Sequence, residues 1–259
     1  RKQIAAKTKG KKISKVEIID YKKADPKIRK LAVGAKIKDV KRRAKIILIE
    51  LSNGYTLLVH LKLTGWFYYE TGKKKLQDKF THAAFRFNGS SLLFQDIRKF
   101  GWIKIMKNSK VESFIENKFK FGPEPFDKNF TWKKFKEMLK KRPKPKIKQL
   151  IMDQKFLAGL GNIYAQEACY AAKILPMRAA GSLTDTEIKR LHSNIRKILK
   201  KAIKCKGTSS VDYVTLDGSP GRFAKLLKVY RKDKDPKGHK LKSIKLGGRT
   251  TKYCPQCQK

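Results

Sequence analysis

Acidic side chains are few in this chain for the number of basic ones. Against 65 lysines and arginines stand 21 aspartates and glutamates, a formal net charge of +44 over 259 residues. That excess is beyond what solubility needs and implies a polyanionic partner, the alternative being an adaptation to habitat rather than a binding device. Lysine outnumbers arginine, so much of the attraction is to phosphate in general and weakens with salt. Long apolar runs are missing too. Nothing approaches the roughly 18 apolar residues of a spanning helix, and no signal-peptide pattern opens the chain. The partner is therefore read as nucleic acid rather than membrane, and the expected location is the cytoplasm, at the nucleoid. Cysteine is scarce: Cys169, Cys205, Cys254 and Cys257 make no disulfide framework, which points to a reducing compartment. No repeat at solenoid periods is visible, and the charge is spread along the chain. An initiator methionine is also absent. Arg1 to Gly10 reads as the tail of a helix ended by a glycine at C′, so further sequence is expected upstream.

With 40% hydrophobic residues, the chain can fill two modest cores. Its first part is rich in β-formers: Ile13–Tyr21, Lys45–Leu51, Thr56–Leu61, Thr81–Phe87, Ser91–Phe94 and Gly101–Met106. Ser52-Asn53-Gly54 and Asn88-Gly89 mark hairpin turns. These predict an N-terminal antiparallel β-sandwich, with a polar loop from Thr71 to Lys79. Phe121-Gly-Pro-Glu-Pro125 stops either kind of element. Beyond it the pattern is helical. Trp132–Lys140 forms one helix, and Thr184-Asp-Thr-Glu187 is a capping box opening another. In that second helix Ile188, Leu191, Ile195, Ile198, Leu199 and Ala202 form a core stripe. The end, from Phe223, reads as a loop and a small β-hairpin. The predicted fold is thus α+β in three parts: a sandwich over 1–120, a helical domain over 121–222, and a hairpin element over 223–259.

The run from Lys148 to Ala168 reads as helix, hairpin, helix around Gly159-Leu160-Gly161-Asn162. The glycines allow positive φ, and Asn162 is expected to cap the helix starting at Ile163. Such a helix start offers free N–H groups to an anion. Taken alone, an ordinary interhelical turn would account for it.

The string IMDQKFLAGLGNIYAQEA resembles the helix-two-turn-helix segment of the formamidopyrimidine-DNA glycosylase (MutM-type) family of base-excision repair enzymes. Further landmarks follow in family order: Arg43-Ala-Lys45, His60-Leu-Lys-Leu-Thr-Gly65, Asp96-Ile-Arg-Lys-Phe-Gly101, the Phe121–Pro125 run, Lys206-Gly-Thr-Ser-Ser210 through Tyr230, and Gly247-Gly-Arg249. The resemblance implies excision of oxidised purines (8-oxoguanine and formamidopyrimidines) and strand cleavage at the abasic site by β,δ-elimination. It implies a monomer acting on double-stranded DNA that carries such lesions or abasic sites. The alternative is a non-catalytic relative that binds damaged DNA or RNA.

Carried over residue by residue, Lys45 matches a lysine at the phosphate beside the damaged nucleotide, although it reads equally as a solvated lysine. Arg98 and Phe100 match side chains that fill the gap left when a base leaves the stack. Leu63 stands where the family has a methionine, a wedge of different shape. Phe100 by itself would read as core. Asn162 and Tyr164 match residues at the DNA backbone, Tyr164 with a core alternative, and Lys144 and Lys148 resemble backbone-contacting lysines. Arg249 matches an arginine that grips phosphates and assists the second elimination. Thr208–Arg222 matches a loop that closes over an extruded purine. His82 reads as a strand residue, since the family histidine falls at Phe80.

The resemblance also implies a zinc site of two Cys-x-x-Cys pairs. Cys254 and Cys257 supply one pair. The other falls on Lys234 and Lys237, which are not zinc ligands and count against the metal, so at most His239 would join the thiolates. The family's nucleophile, an N-terminal proline beside an acidic glutamate, matches no residue here and is expected upstream of Arg1.

Overall fold

A computed structural model describes residues 1–72, 79–209 and 213–259. Most of the polar loop expected over 71–79 lies outside the described residues, as do Ser210, Val211 and Asp212 of the segment matched to the purine-covering loop. The chain forms two compact units: Arg1–Asn117 with Gly207–Gly221, and Lys118–Lys206 with Arg222–Lys259.

The first unit is built on two four-stranded antiparallel sheets. One has the order β1 (Lys15–Ile18), β6 (Thr81–Phe87), β7 (Ser90–Asp96), β5 (Gly65–Thr71); the other has β2 (Ile37–Arg43), β3 (Ile46–Leu51), β4 (Tyr55–His60), β8 (Trp102–Lys107). Hairpin turns at Gly54 (φ 83°) and Gly89 (φ 71°) join β3 to β4 and β6 to β7, where the sequence places them. Val40, Ile49, Leu57, Phe85 and Phe94 from both sheets share one core. Phe94 is fully buried, so Phe94→Ala would cost about 3–5 kcal/mol. Two short helices, α1 (Lys2–Thr8) and α2 (Ile28–Ala32), bury Ile4, Ile28 and Ala32 against that core.

Two strands escape the sequence reading. In β2 only Ile37 and Val40 are buried, so its lysines and arginines mask the alternation. In β5 the aromatic residues are mostly half-exposed. Residues 207–221, which the sequence division assigns to the helical domain, pack with the sheets instead. The Tyr69 N–H donates to the Leu216 carbonyl at 2.8 Å, and Leu216 enters the sandwich core.

The sequence boundary between the units falls near the end of α3 (Val111–Phe119), after Asn117. The second unit packs α4 (Trp132–Lys141), α5 (Ile147–Met152), α6 (Asn162–Ala171) and α7 (Asp185–Lys204) around Phe135, Leu150, Leu157, Ala168 and Leu191. Thr131 caps α4 by accepting the Lys134 N–H. The predicted capping box of Thr184 and Glu187 opens α7, where Arg178 also pairs with Glu187. β9 (Lys242–Leu246) and β10 (Arg249–Tyr253) form the terminal hairpin. The segment leading to it is anchored by the buried Glu167 carboxylate, which accepts the N–H groups of Lys228, Val229 and Tyr230 at 2.9–3.0 Å.

Candidate nucleic-acid interface

In the first unit, the turn after β7 is organised by one buried carboxylate. Asp96 Oδ1 accepts from Thr64 Oγ1 at 2.6 Å and from the Arg98 N–H at 3.3 Å, while Oδ2 accepts the Gly101 N–H at 2.6 Å. The Thr64 hydroxyl also accepts the Arg98 N–H, at 3.1 Å. His82, buried in β6, sits with Nε2 2.8 Å from the Asp96 carbonyl. Only glycine fits at 101, because a Cβ there would lie 2.8 Å from the Phe94 ring. So held, the turn presents Arg98 to solvent with Phe100, which is 56% exposed; Leu63, on the preceding turn, is 57% exposed. Large apolar groups left outside a well-filled core are available for a partner.

Lys45 is exposed in the two-residue β2–β3 turn, where Ala44 takes φ 50° and its carbonyl accepts from Arg42 Nη1 at 2.5 Å. Across the β3–β4 ladder is His60, whose Nδ1 accepts the Lys62 N–H at 2.9 Å. Burial, helped by Lys62 and Lys45, pushes the His60 pKa down to about 4, so the ring is neutral at physiological pH.

In the second unit, the notable residue is Lys148. Its side chain is fully buried, yet its ammonium donates to Asn162 Oδ1 at 2.5 Å and Thr251 Oγ1 at 2.8 Å. Gln166 adds a parallel tie: its Nε2 donates to Asn162 Oδ1 and the Thr250 carbonyl, and its Oε1 accepts the Lys252 N–H. Together they join α5, the start of α6 and strand β10. The hairpin turn presses on α5, since a Cβ at Gly247 would lie 2.9 Å from Gln149 Nε2. Arg249 is exposed beside this network. Burial lowers the Lys148 pKa to about 8, opposed by Cys169 and helped by Arg249. Among the described residues neither Lys148 nor Arg249 has a carboxylate partner. Two cations held together without a counter-ion make a site for an external anion.

The structure corrects the role expected of Asn162. The N-cap is Gly161, extended at φ −123°, and Asn162 is the first helical residue, with no side-chain cap at this helix. Its oxygen is taken by the buried ammonium, which needs an acceptor more than the helix end does. Tyr164 packs its ring edge-on against Phe223 at 5.7 Å. Lys144 stands exposed on the loop before α5 and takes no part in the Lys148 network.

In the C-terminal hairpin element over 223–259, called the finger from here on, His239 Nδ1 lies 3.3 Å from Cys257 Sγ and 3.6 Å from Cys254 Sγ. Asp235 Oδ2 completes the group, 3.2 Å from His239 Nδ1 and 3.3 Å from Cys257 Sγ. The four donor atoms lie within 4.8 Å of one another, a set that suits zinc. Lys234 and Lys237 are exposed.

Sequence reasoning passed over Asp96, Thr64, Gln166, Thr251 and Asp235. A signal existed for Asp96, an acid heading an Arg-Lys-Phe-Gly turn in a chain poor in acids. Another existed for Asp235, which lies between the two lysines.

Known proteins share this architecture. The family model described as the formamidopyrimidine-DNA glycosylase N-terminal domain matches residues 1–103, and the H2TH domain of the same family matches residues 121–213. The formamidopyrimidine-DNA glycosylase of Pelotomaculum thermopropionicum is 39% identical over 267 residues, covering 100% of this chain and 96% of that protein. That of Listeria monocytogenes serotype 4b is 40% identical over 233 residues, covering 88% and 84%. The Lactococcus lactis enzyme crystallised with abasic-site DNA is 32% identical and superposes with a TM-score of 0.93, covering 100% of this chain and 96% of that one. A variant of it bound to Fapy-dG DNA gives 0.93 at 33% identity, with the same coverage.

Proposed function

Because this chain belongs to the formamidopyrimidine-DNA glycosylase family, we propose that it is a base-excision DNA glycosylase for damaged DNA. Its substrates are oxidised purines, 8-oxoguanine and formamidopyrimidines, and it cleaves the abasic strand by β,δ-elimination. In this reading Asn162 and Arg249 hold backbone phosphates, the buried Lys148 ammonium supports them from beneath with its charge, and Tyr164 and Lys144 flank them. The single observation that carries it is the buried Lys148 ammonium, which ties the α6 start to the finger hairpin and sets Arg249 beside a second uncompensated cation. A bound phosphate supplies the missing anion there.

On the other unit, Leu63, Arg98 and Phe100 occupy the space an extruded nucleotide vacates. Two exposed apolar groups replace lost base stacking and an arginine meets the orphaned base, offsetting an unstacking cost of a few kcal/mol. Lys45 faces the phosphate at the lesion and helps the first elimination, while Arg249 assists the second. His60, being neutral, adds no further positive charge beside Lys45.

The test has two parts. The 259-residue chain should bind duplex containing a tetrahydrofuran abasic analogue more tightly than the intact duplex, and equal affinities would overturn the reading. Protein expressed from its own gene should release 8-oxoguanine from a duplex that carries it and be trapped on that 8-oxoguanine duplex by borohydride. Release without trapping would remove the lyase step alone.

A further inference from the structure

The finger has very little apolar material to hold it. Its own buried cluster is Val229, Leu241 and Cys254, with Tyr170 and Cys257 packed alongside. A core of that size does not order a segment unaided, and small modules of this kind depend on a staple. We infer that Asp235, His239, Cys254 and Cys257 bind one Zn2+ as a closed structural site, in which a carboxylate and an imidazole do the work of a second thiolate pair.

The donor geometry supports this. Zinc bonds of about 2.0–2.3 Å in a tetrahedron require donor separations of roughly 3.3–3.8 Å. Four of the six separations here are 3.2 Å from Asp235 Oδ2 to His239 Nδ1, 3.3 Å from Oδ2 to Cys257 Sγ, 3.3 Å from His239 Nδ1 to Cys257 Sγ, and 3.6 Å from Nδ1 to Cys254 Sγ, and all six lie within 4.8 Å, so metal binding draws the remaining two in slightly. The two sequence spacings, Asp235-x-x-x-His239 and Cys254-x-x-Cys257, put one pair on each limb of the finger.

The surrounding hydrogen bonds sort the carboxylate oxygens. Oδ1 is used by the N–H groups of Lys237 and His239, both at 2.9 Å, which leaves Oδ2 facing the cluster. Tyr170 supports Oδ2 from helix α6 at 3.1 Å, the type of outer contact that orients a metal-binding carboxylate. The Cys257 N–H points at Cys254 Sγ at 3.4 Å. Cys254 is fully buried and Asp235 only 5% exposed, so four protein donors surround the ion and no position is left for substrate. Thiolates with an imidazole exclude magnesium and calcium and match zinc. The lysines at the family's cysteine positions are bystanders; the site has moved one residue along, to Asp235.

The inference does not rest on glycosylase activity, and its test needs no DNA. Full chain purified without chelators should hold one zinc per molecule by mass spectrometry. Exchange with Co2+ should give tetrahedral d–d bands and a thiolate charge-transfer band. Asp235→Asn keeps an acceptor for the two N–H groups but lowers the ligand's charge. It should release zinc to a chelator at least about tenfold faster and shift the d–d bands while keeping the thiolate band. Lys237→Ala should behave as the parent. A parent chain that holds no zinc and gives no thiolate band with Co2+ would overturn the inference, as would an Asp235→Asn variant with unchanged d–d bands and release rate. Should that variant lose the finger, far-ultraviolet circular dichroism of the metal-free parent, recorded before and after zinc addition, decides. No gain in order on adding zinc counts against a structural site.

Discussion

DNA binding by this chain should be lost with rising pH well before ordinary lysines titrate, and Lys148 should be the cause. Its ammonium is held at a pKa of about 8, first by burial and then by the nearby Arg249. In the free protein the proton therefore leaves above pH 8, while an unfolded chain keeps it to about 10.4. Stability consequently rises with pH across that interval, because the unfolded state binds the extra proton. A phosphate beside Lys148 acts in the opposite direction: it favours the ammonium and returns its pKa towards the ordinary value. Bound protein then holds a proton that free protein has lost, so affinity must fall as pH climbs. With pKa values of about 8 free and about 10.4 bound, the loss from pH 7 to pH 9 is about tenfold, or roughly 1.4 kcal/mol. Fluorescence anisotropy on a duplex with an abasic analogue, at constant ionic strength, measures it. Lys148→Met should bind more weakly at pH 7 and show a flat profile to pH 9. Equal slopes for parent and variant would refute the assignment of a phosphate to this ammonium.

Other outcomes are expected from the same geometry. Arg249→Ala should weaken binding on all duplexes and reduce the slope of log K against log salt by about one, measured by salt titration. Leu63→Ala and Phe100→Ala, at positions more than half exposed, should change urea stability by less than about 0.5 kcal/mol while cutting the preference for abasic over intact duplex. Asp96→Asn removes a buried carboxylate that accepts three hydrogen bonds. It should cost about 2 kcal/mol by denaturant titration and lower the same preference. Neutral His60, with its pKa near 4, is a source of acid sensitivity: the unfolded chain takes up a proton below pH 6.5 that the folded ring refuses until pH 4. Stability should fall as pH drops through that window, and less steeply in His60→Gln, followed by thermal melts at intervals of pH.

Much of the architecture is legible in the chain because the signals are local. Asn-Gly turns, β-branched runs and the Thr184–Glu187 box each act over a few residues, and their elements form where expected. Strand β2 fails the same reading because its lysines and arginines point outward and dilute the pattern, and only pairing with β3 makes it a strand. Residues 207–221 lie next to α7 in sequence but contribute Leu216 to the sandwich, a contact no local pattern announces.

The candidate site divides the same way. Residue identity alone set the phosphate-seeking charge and the glycines before Asn162, since each depends on side-chain chemistry or backbone freedom within one segment. Which polar groups satisfy one another was decided only when distant segments met. Lys148 reaches Thr251 across more than a hundred positions, and that long bond takes Asn162 away from its expected cap. Asp96 organises a turn only with Thr64 beside it, and Asp235 joins a group of metal-ligand atoms only once the finger folds Cys254 and Cys257 back onto it. A buried charge must be answered by whatever donor or acceptor the packing delivers, and packing is a property of the whole chain.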